Sequence, residues 1–357
     1  GEPIALETYM LRSWEASYAT VKQANFVLGL DGTVEGDETT LKQYMGMAYF
    51  FRAMAYYHLV RYYKQMPLIT DNNPHSDIKS TTQQVIWDQV VADLKKAEES
   101  LPDAWASDND MRLMAPTKWS AKALLAEAYL NMGGYPYNGG ATYYKLAADK
   151  AKEVVSNSRF GFDTYENIFN DKPAAQDLSK EGLVTFIYTN ASTRRNCLIT
   201  CMMPSEYGGY SWFAPEKKFF EDFPEGPRKD MTFATKIKVG DDWKDYDQAL
   251  KVAIPPYKKM AHSPECSLES GVVMPTWRVE SRVYALRYTQ TALTYAEAIA
   301  RSSGPDALAY QLMDDIRTRA GLDVYARSLG GDAFAKLVVQ ERAYELAGEF
   351  SRYSDLC

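Results

Sequence analysis

Amphipathic helical patterns occupy both ends of this 357-residue chain, and they limit its fold more than any other feature. Near the N-terminus, apolar side chains recur at i, i+3, i+4 and i+7 from Trp14 to Leu28, and the pattern stops at Gly29. Helix pairs that repeat about every thirty residues are typical of tetratricopeptide-like hairpins. Similar patterns predict further helices over residues 40–64, 82–100, 117–132, 143–156, 284–301, 305–320 and 332–352.

The middle of the chain has a different character. From about residue 161 to 282, proline, glycine and aromatic residues are frequent and the helical period is weak, and only residues 182–189 read clearly as a strand. Residues 68–70 read as a shorter extended piece. We therefore predict an all-α dominated fold, in which a tetratricopeptide-like helix-hairpin solenoid carries a loop-rich, mostly irregular lobe.

Charge and composition exclude several classes of function. The chain has 40 basic and 47 acidic residues, a net charge of -7, which opposes binding to a nucleic-acid backbone. Three histidines and four cysteines leave little material for a metal site, and Cys197 and Cys201 form a C-x3-C pair without a second pair nearby. We expect no metal and no cofactor, and either a buried thiol pair or one disulfide.

The most apolar stretch, residues 44–63, is about long enough to span a bilayer. It contains Arg52 and Arg61, which at about 100° per residue lie on opposite sides of a helix and leave no face clean for lipid. A core helix is the better interpretation. The dinucleotide, Walker A, zinc-protease and serine-hydrolase motifs are all absent from the sequence.

Six segments, in order along the chain, resemble motifs of the SusD/RagB family. The helix that carries Trp14, Tyr18 and Asn25 is similar to the family's W-x-x-x-Y-x-x-I-x-x-A-N helix. A seventh segment matches only in part, because Gly226 stands where the family usually has aspartate in an Asp-Pro-Arg motif. The other resembling segments are residues 52–70, 117–130, 286–298, 316–322 and 341–356.

The resemblance implies one SusD-like domain over residues 1–357, with helical hairpins at about 12–156 and 284–352 and an irregular ligand-binding lobe at about 157–283. It also implies a cell-surface protein of the outer membrane that captures a glycan, without catalysis, for a TonB-dependent transporter of the SusC type. Contact with the membrane would come only through a lipid anchor. We expect the anchor segment and the family's C-terminal tail to be missing from this sequence.

The charged motif residues have a structural interpretation. They lie on predicted helices at spacings of three, four and seven residues, where charged partners hold helix hairpins together. We expect this role for Arg52, Arg61, Glu341, Arg342, Glu345, Glu349 and Arg352.

Aromatic side chains in loops are the candidate ligand contacts, because a sugar presents a flat C–H face to a ring and hydroxyl groups to polar partners. The alternative for each ring is ordinary packing of the lobe. The densest group is Tyr207, Tyr210, Trp212 and Phe213, and a second group is Trp243, Trp277, Tyr135 and Tyr137. The polar candidates are Arg194, Arg195 and Asn196.

Two other functions remain open from the residues alone. A helical-repeat scaffold would bind a protein partner in a concave groove. An all-helical glycoside hydrolase would use similar rings, but it would need two carboxyl groups that face each other across a cleft.

Overall fold

Helices dominate the computed structural model, which describes residues 4–63, 65–73, 77–106, 112–169, 179–188, 201–259, 262–263, 266–267 and 281–349. The chain divides into two compact units. The first consists mainly of Gly1–Asn157, with Arg301–Gly304, and the second of Ser158–Ala300 and Pro305–Leu356.

The first unit is a series of helices in which each packs on the next. Its short strands β1 (Met66–Pro67) and β2 (Ser80–Thr81) pair antiparallel. The helices are α1 (Ile4–Leu28), α2 (Glu38–Tyr62), α3 (Gln83–Ser100), α4 (Lys118–Gly133) and α5 (Gly140–Val155).

Local signals explain where these helices begin and how they pack. The Asp37 carboxylate accepts from the backbone N–H of Thr40 (2.8 Å) and caps α2. Thr117 and Ser120 form a capping box at the start of α4. The alanines of α4 are buried, which allows close approach of neighbouring helices.

A buried arginine joins the first three helices. Arg52 on α2 donates from Nε and Nη2 to the two carboxylate oxygens of Asp93 on α3, at 2.8 and 2.7 Å. Its Nη1 donates to the side-chain oxygen of Asn25 on α1 at 2.8 Å. All three side chains are buried, so the structural role predicted for Arg52 is confirmed.

In its described residues, the second unit combines helices with three two-stranded antiparallel sheets. The sheets pair β3 (Gly182–Tyr188) with β8 (Ser281–Arg287), β4 (Lys236–Val239) with β5 (Asp242–Asp245), and β6 (His262–Ser263) with β7 (Cys266–Ser267). The helices are α6 (Tyr165–Phe169), α7 (Lys217–Glu221), α8 (Pro227–Thr232), α9 (Tyr246–Ala249), α10 (Tyr288–Ser302), α11 (Ala307–Arg319) and α12 (Gly331–Glu345).

Three predicted element boundaries were wrong. The extended pairing lies at Met66–Pro67 rather than at residues 68–70. The helix expected from residue 284 begins at Tyr288, because residues 281–287 pair with β3 across a long stretch of sequence. The last helix ends at Glu345 rather than at residue 352. Gly348 follows with φ +80°, a left-handed conformation that helps to end the helix.

A network of buried charges lies at the centre of the second unit. Glu345 on α12 accepts from Arg228 (3.3 Å), Arg287 (3.1 Å) and Arg319 (2.8 Å). Arg287 also donates to Glu181 at 2.8 Å. The network thus links α8, β8, α11 and α12 with the residue before β3, and its carboxylates compensate the buried arginines.

The same network includes a lysine and two further glutamates. The ammonium of Lys259 donates to Glu349 (2.9 Å) and to the carbonyl oxygen of Glu345 (2.7 Å). Glu341 accepts from Arg228 at 2.5 Å. The structural role predicted for Glu341, Glu345 and Glu349 is confirmed, although their partners come from distant segments rather than from the same helix.

Within the described residues, no helix combines the length and apolar character that crossing a membrane requires. Arg52 is buried and Arg61 is partly buried in α2. This agrees with the prediction of a core helix there.

Candidate functional site

The segment from Cys201 to Phe213 folds back on itself in the second unit. Tyr207 ends a short 3-10 turn, and Gly208 follows with φ +79°. The returning chain is then held by its backbone, since the N–H of Trp212 donates to the carbonyl oxygen of Cys201 (2.8 Å) and that of Ser211 donates to Met203 (3.0 Å). These bonds hold the loop in one conformation.

Gly209 is required by a close approach in this loop. A Cβ atom added there would lie 2.1 Å from the carbonyl oxygen of Met203. Any other residue would push the returning segment away from residues 201–203.

Two rings of this loop form a stacked, exposed pair. The ring centroids of Tyr210 and Trp212 are 4.2 Å apart, and the ring planes differ by 18°. The Trp212 side chain is 46% exposed, and Tyr210 and the adjacent Phe213 are exposed too. Ser211 lies between Tyr210 and Trp212 and has φ +53°. This left-handed conformation permits the two rings to stack on one side of the loop. We call Tyr210 and Trp212 the stacked pair.

Tyr207 does not share this exposure. Only 5% of it is exposed, it packs in a core cluster with Met203 and Ile237, and its hydroxyl donates to the carbonyl oxygen of Lys238 at 2.6 Å. A buried ring with a satisfied hydroxyl anchors the loop to strand β4. The expectation that Tyr207 is displayed to a ligand is therefore corrected.

Trp243 is exposed on β5, opposite Lys238 of β4. The other candidates of this region lie outside the described residues: Trp277, Arg194, Arg195 and Asn196. Cys201 is buried, and its predicted partner Cys197 also lies outside them. No group of three or more potential metal ligands occurs among the residues that the structure describes.

Tyr135 and Tyr137 lie in the first unit, in the loop between α4 and α5. Tyr135 is 77% exposed. The Tyr137 ring is partly buried, and its hydroxyl contacts the hydroxyl of Tyr143 (3.0 Å) and the carboxylate of Asp88 (3.1 Å). The two residues of this predicted pair thus differ, because one is displayed and the other supports the loop.

Sequence reasoning missed the residues that hold the stacked pair in place. Ser211 gave no signal, since serine rarely adopts a positive φ. The adjacent glycines at positions 208 and 209 did indicate unusual backbone geometry, but not which carbonyl they would approach.

Comparison with known proteins identifies the family from both ends of the chain. A family profile described as "Starch-binding associating with outer membrane" matches residues 2–130, and the SusD family profile matches residues 255–357. The chain belongs to the SusD/RagB family. Its fold supports this, since a SusD superfamily protein from Parabacteroides distasonis superposes with a TM-score of 0.83 over 98% of this chain and 74% of that one, at 25% identity.

Two other SusD-like proteins extend the comparison. SusD-like protein P2 of Formosa agariphila is 27% identical over 96% of this chain and 70% of its own length. A solved structure described as a laminarin-binding SusD-like protein has a TM-score of 0.76 and 22% identity, and the match covers 96% of this chain and 76% of that one. The SusD-like fold predicted from the sequence motifs is thereby confirmed.

Proposed function

We propose that this SusD/RagB protein binds a glycan at the cell surface without altering it, and that it passes the glycan to a TonB-dependent transporter of the SusC type in the outer membrane. The stacked pair is the observation that carries the proposal. It presents aromatic surface to solvent on a loop that backbone hydrogen bonds already hold in place.

Stacking suits saccharides because a pyranose ring has a flat face of C–H bonds that packs on an aromatic plane. A preformed platform also lowers the entropy lost on binding, since the rings need not be ordered by the ligand. The known laminarin binder with this fold supports a glycan as the ligand class.

The buried glutamates Glu345 and Glu349 are poor candidates for the acid of a glycosidase. Burial raises the pKa of the Glu345 carboxyl, but Arg319, Arg287 and Arg228 lower it more, and the net pKa lies well below its usual range. The pKa of Glu349 is lowered in the same way by Arg287 and Lys259, against the effect of burial. A glycosidase needs an acid whose pKa is raised, so these carboxylates are unsuited to that task.

The transporter partner and the surface location are proposed from family membership. Outer-membrane association is part of the description of the profile that matches residues 2–130. Co-purification of the full-length protein with a SusC-type barrel from outer membranes would test this part, and recovery of the protein without any barrel would contradict it.

Affinity electrophoresis in gels that contain laminarin, xyloglucan or starch tests glycan binding. Trp212→Ala removes most of the platform. The glycan that slows the wild-type protein in the gel should therefore slow this variant much less, while the melting temperature of the variant stays within about 2 °C of wild type. Phe26→Ala is the matched control, because Phe26 is an exposed ring on α1, far along the sequence from the loop.

Two results would contradict the proposal. Unchanged retardation of the Trp212→Ala variant would remove the stacked pair from the binding site. If the purified protein released reducing ends from the glycan that slows it in the gel, the protein would instead be a hydrolase.

A further inference from the structure

The loop between α4 and α5 displays a second aromatic ring on a rigid frame. Tyr135 has a larger exposed fraction than the other exposed large apolar side chains of the described residues. The backbone N–H of Asn138 donates to the carbonyl oxygen of Gly134 (2.6 Å), and that of Gly139 donates to Met132 (2.9 Å). The Asn138 side chain also donates to the carbonyl oxygen of Pro136 (3.0 Å), so the loop is braced on both sides of the ring.

Packing against α5 fixes the other side of this loop. A Cβ atom at Gly139 would lie 2.2 Å from the ring of Tyr143, so the loop lies directly on that ring. The rings of Tyr137 and Tyr143 meet edge to face with centroids 5.1 Å apart. Tyr137 is therefore held in place from two directions.

A chain of hydrogen bonds leads from these tyrosines to a carboxylate. An ionised carboxylate can only accept, so the Tyr137 hydroxyl donates to Asp88 Oδ1 (3.1 Å), and the Tyr143 hydroxyl then donates to Tyr137 (3.0 Å). Burial, together with Tyr143 and Asp88, raises the pKa of the Tyr137 hydroxyl, which therefore keeps its proton. This chain orients the exposed Asp88 side chain on α3.

Asp88 keeps acceptor capacity for a ligand. No hydrogen bond or ion pair to its Oδ2 occurs within the described ranges. A carboxylate oxygen with a fixed orientation forms strong, charge-assisted bonds with hydroxyl donors. Tyr135 lies two residues along the same loop from Tyr137, which holds this acceptor, so one loop carries a stacking ring for the C–H face of a sugar and positions an acceptor for its hydroxyl rim.

We propose that Tyr135 and Asp88 form a second saccharide-contact surface in the first unit, independent of the stacked pair and specific for neutral sugars with exposed hydroxyl groups. This surface rests on the proposed glycan-binding function. Tyr135 provides the stacking face, Asp88 accepts from the hydroxyl groups, and Tyr137 and Tyr143 position the carboxylate.

Isothermal titration tests the second surface. The ligand is an oligosaccharide prepared from whichever of laminarin, xyloglucan or starch retards the wild-type protein most. The wild-type protein should bind two equivalents of the oligosaccharide per chain. The Tyr135→Ala variant and the Trp212→Ala variant should each bind one. Asp88→Asn keeps the bond from Tyr137 but removes the charge, so it should weaken only the second equivalent, by about fivefold to tenfold. Phe26→Ala should bind as wild type does.

The outcomes separate the two proposals. If the wild-type protein binds one equivalent of oligosaccharide, and Trp212→Ala abolishes this binding while Tyr135→Ala leaves it unchanged, the second surface alone is overturned. A wild-type protein that binds none of the three glycans would overturn both. An effect of Tyr135→Ala on co-purification with the transporter, without an effect on glycan binding, would overturn the saccharide assignment in favour of a protein contact.

Discussion

Glu345 offers the strongest test of the buried charge network. Glu345→Gln preserves the shape of the side chain but removes the negative charge that faces Arg228, Arg287 and Arg319 at 2.8–3.3 Å. Arg228 and Arg287 are almost fully buried and the Arg319 side chain is 11% exposed, so water can replace little of the lost charge. The remaining carboxylates, chiefly Glu181, can compensate only part of it.

The expected cost follows from that burial. Removing one partner of a buried ion pair costs about 3–5 kcal/mol, and we expect about 3 kcal/mol because glutamine still accepts one hydrogen bond. For a unit of about 200 residues, this lowers the melting temperature by about 7 °C. Calorimetry at pH 7 measures the shift.

Glu98→Gln is the matched control. Glu98 accepts from Lys122 (3.2 Å) and Lys150 (3.0 Å) near the surface, and screened pairs of this kind contribute at most about 1 kcal/mol. The control should melt within about 2 °C of wild type. A Glu345→Gln variant as stable as this control would refute the view that the buried network holds the second unit together.

The same comparison predicts a pH dependence. Because the pKa of Glu345 is lowered in the folded state, its contribution is complete above its ordinary pKa of 4.5 and is lost as the pH falls towards the folded value. The stability difference between wild type and Glu345→Gln should therefore narrow from pH 7 to pH 3. A difference that widened on acidification would contradict the ionised, ion-paired state of this carboxyl.

Two further substitutions test the packing around the site and in the first unit. The Gly209→Ala variant should be slowed less than wild type by the glycan in affinity gels, because its methyl group would collide with the carbonyl oxygen of Met203 and displace the stacked pair. A variant slowed as much as wild type would contradict this. Arg52→Met should lower the free energy of unfolding of the first unit by about 3–5 kcal/mol, because it leaves the buried Asp93 carboxylate without its arginine partner. Urea titrations measure this change, and a loss below about 1 kcal/mol would contradict the account.

Much of the helical framework could be predicted from the sequence, because the signals for a helix lie within a few residues of it. The helix predicted at residues 82–100 is observed at Gln83–Ser100. Strand β8 was not predicted, because its partner β3 lies about a hundred residues earlier and only pairing distinguishes its pattern from a helix.

The candidate site shows the same limit. Tyr207 and Trp212 lie five residues apart in one aromatic loop, yet one is buried and the other is exposed. The difference depends on the carbonyl oxygen of Lys238, which accepts a hydrogen bond from the Tyr207 hydroxyl and so allows that ring to be buried. Asp88 was missed for a similar reason, since only the fold brings α3 to the loop that carries Tyr135 and Tyr137.

A crystal structure of this protein with the oligosaccharide that it retains would test the central claim most directly. The account predicts a sugar ring whose C–H face lies within about 4 Å of the exposed face of Trp212 or Tyr210, with those rings still stacked and the glycosidic bonds intact. A sugar bound elsewhere, with both rings uncovered, or a cleaved product in the crystal would contradict it.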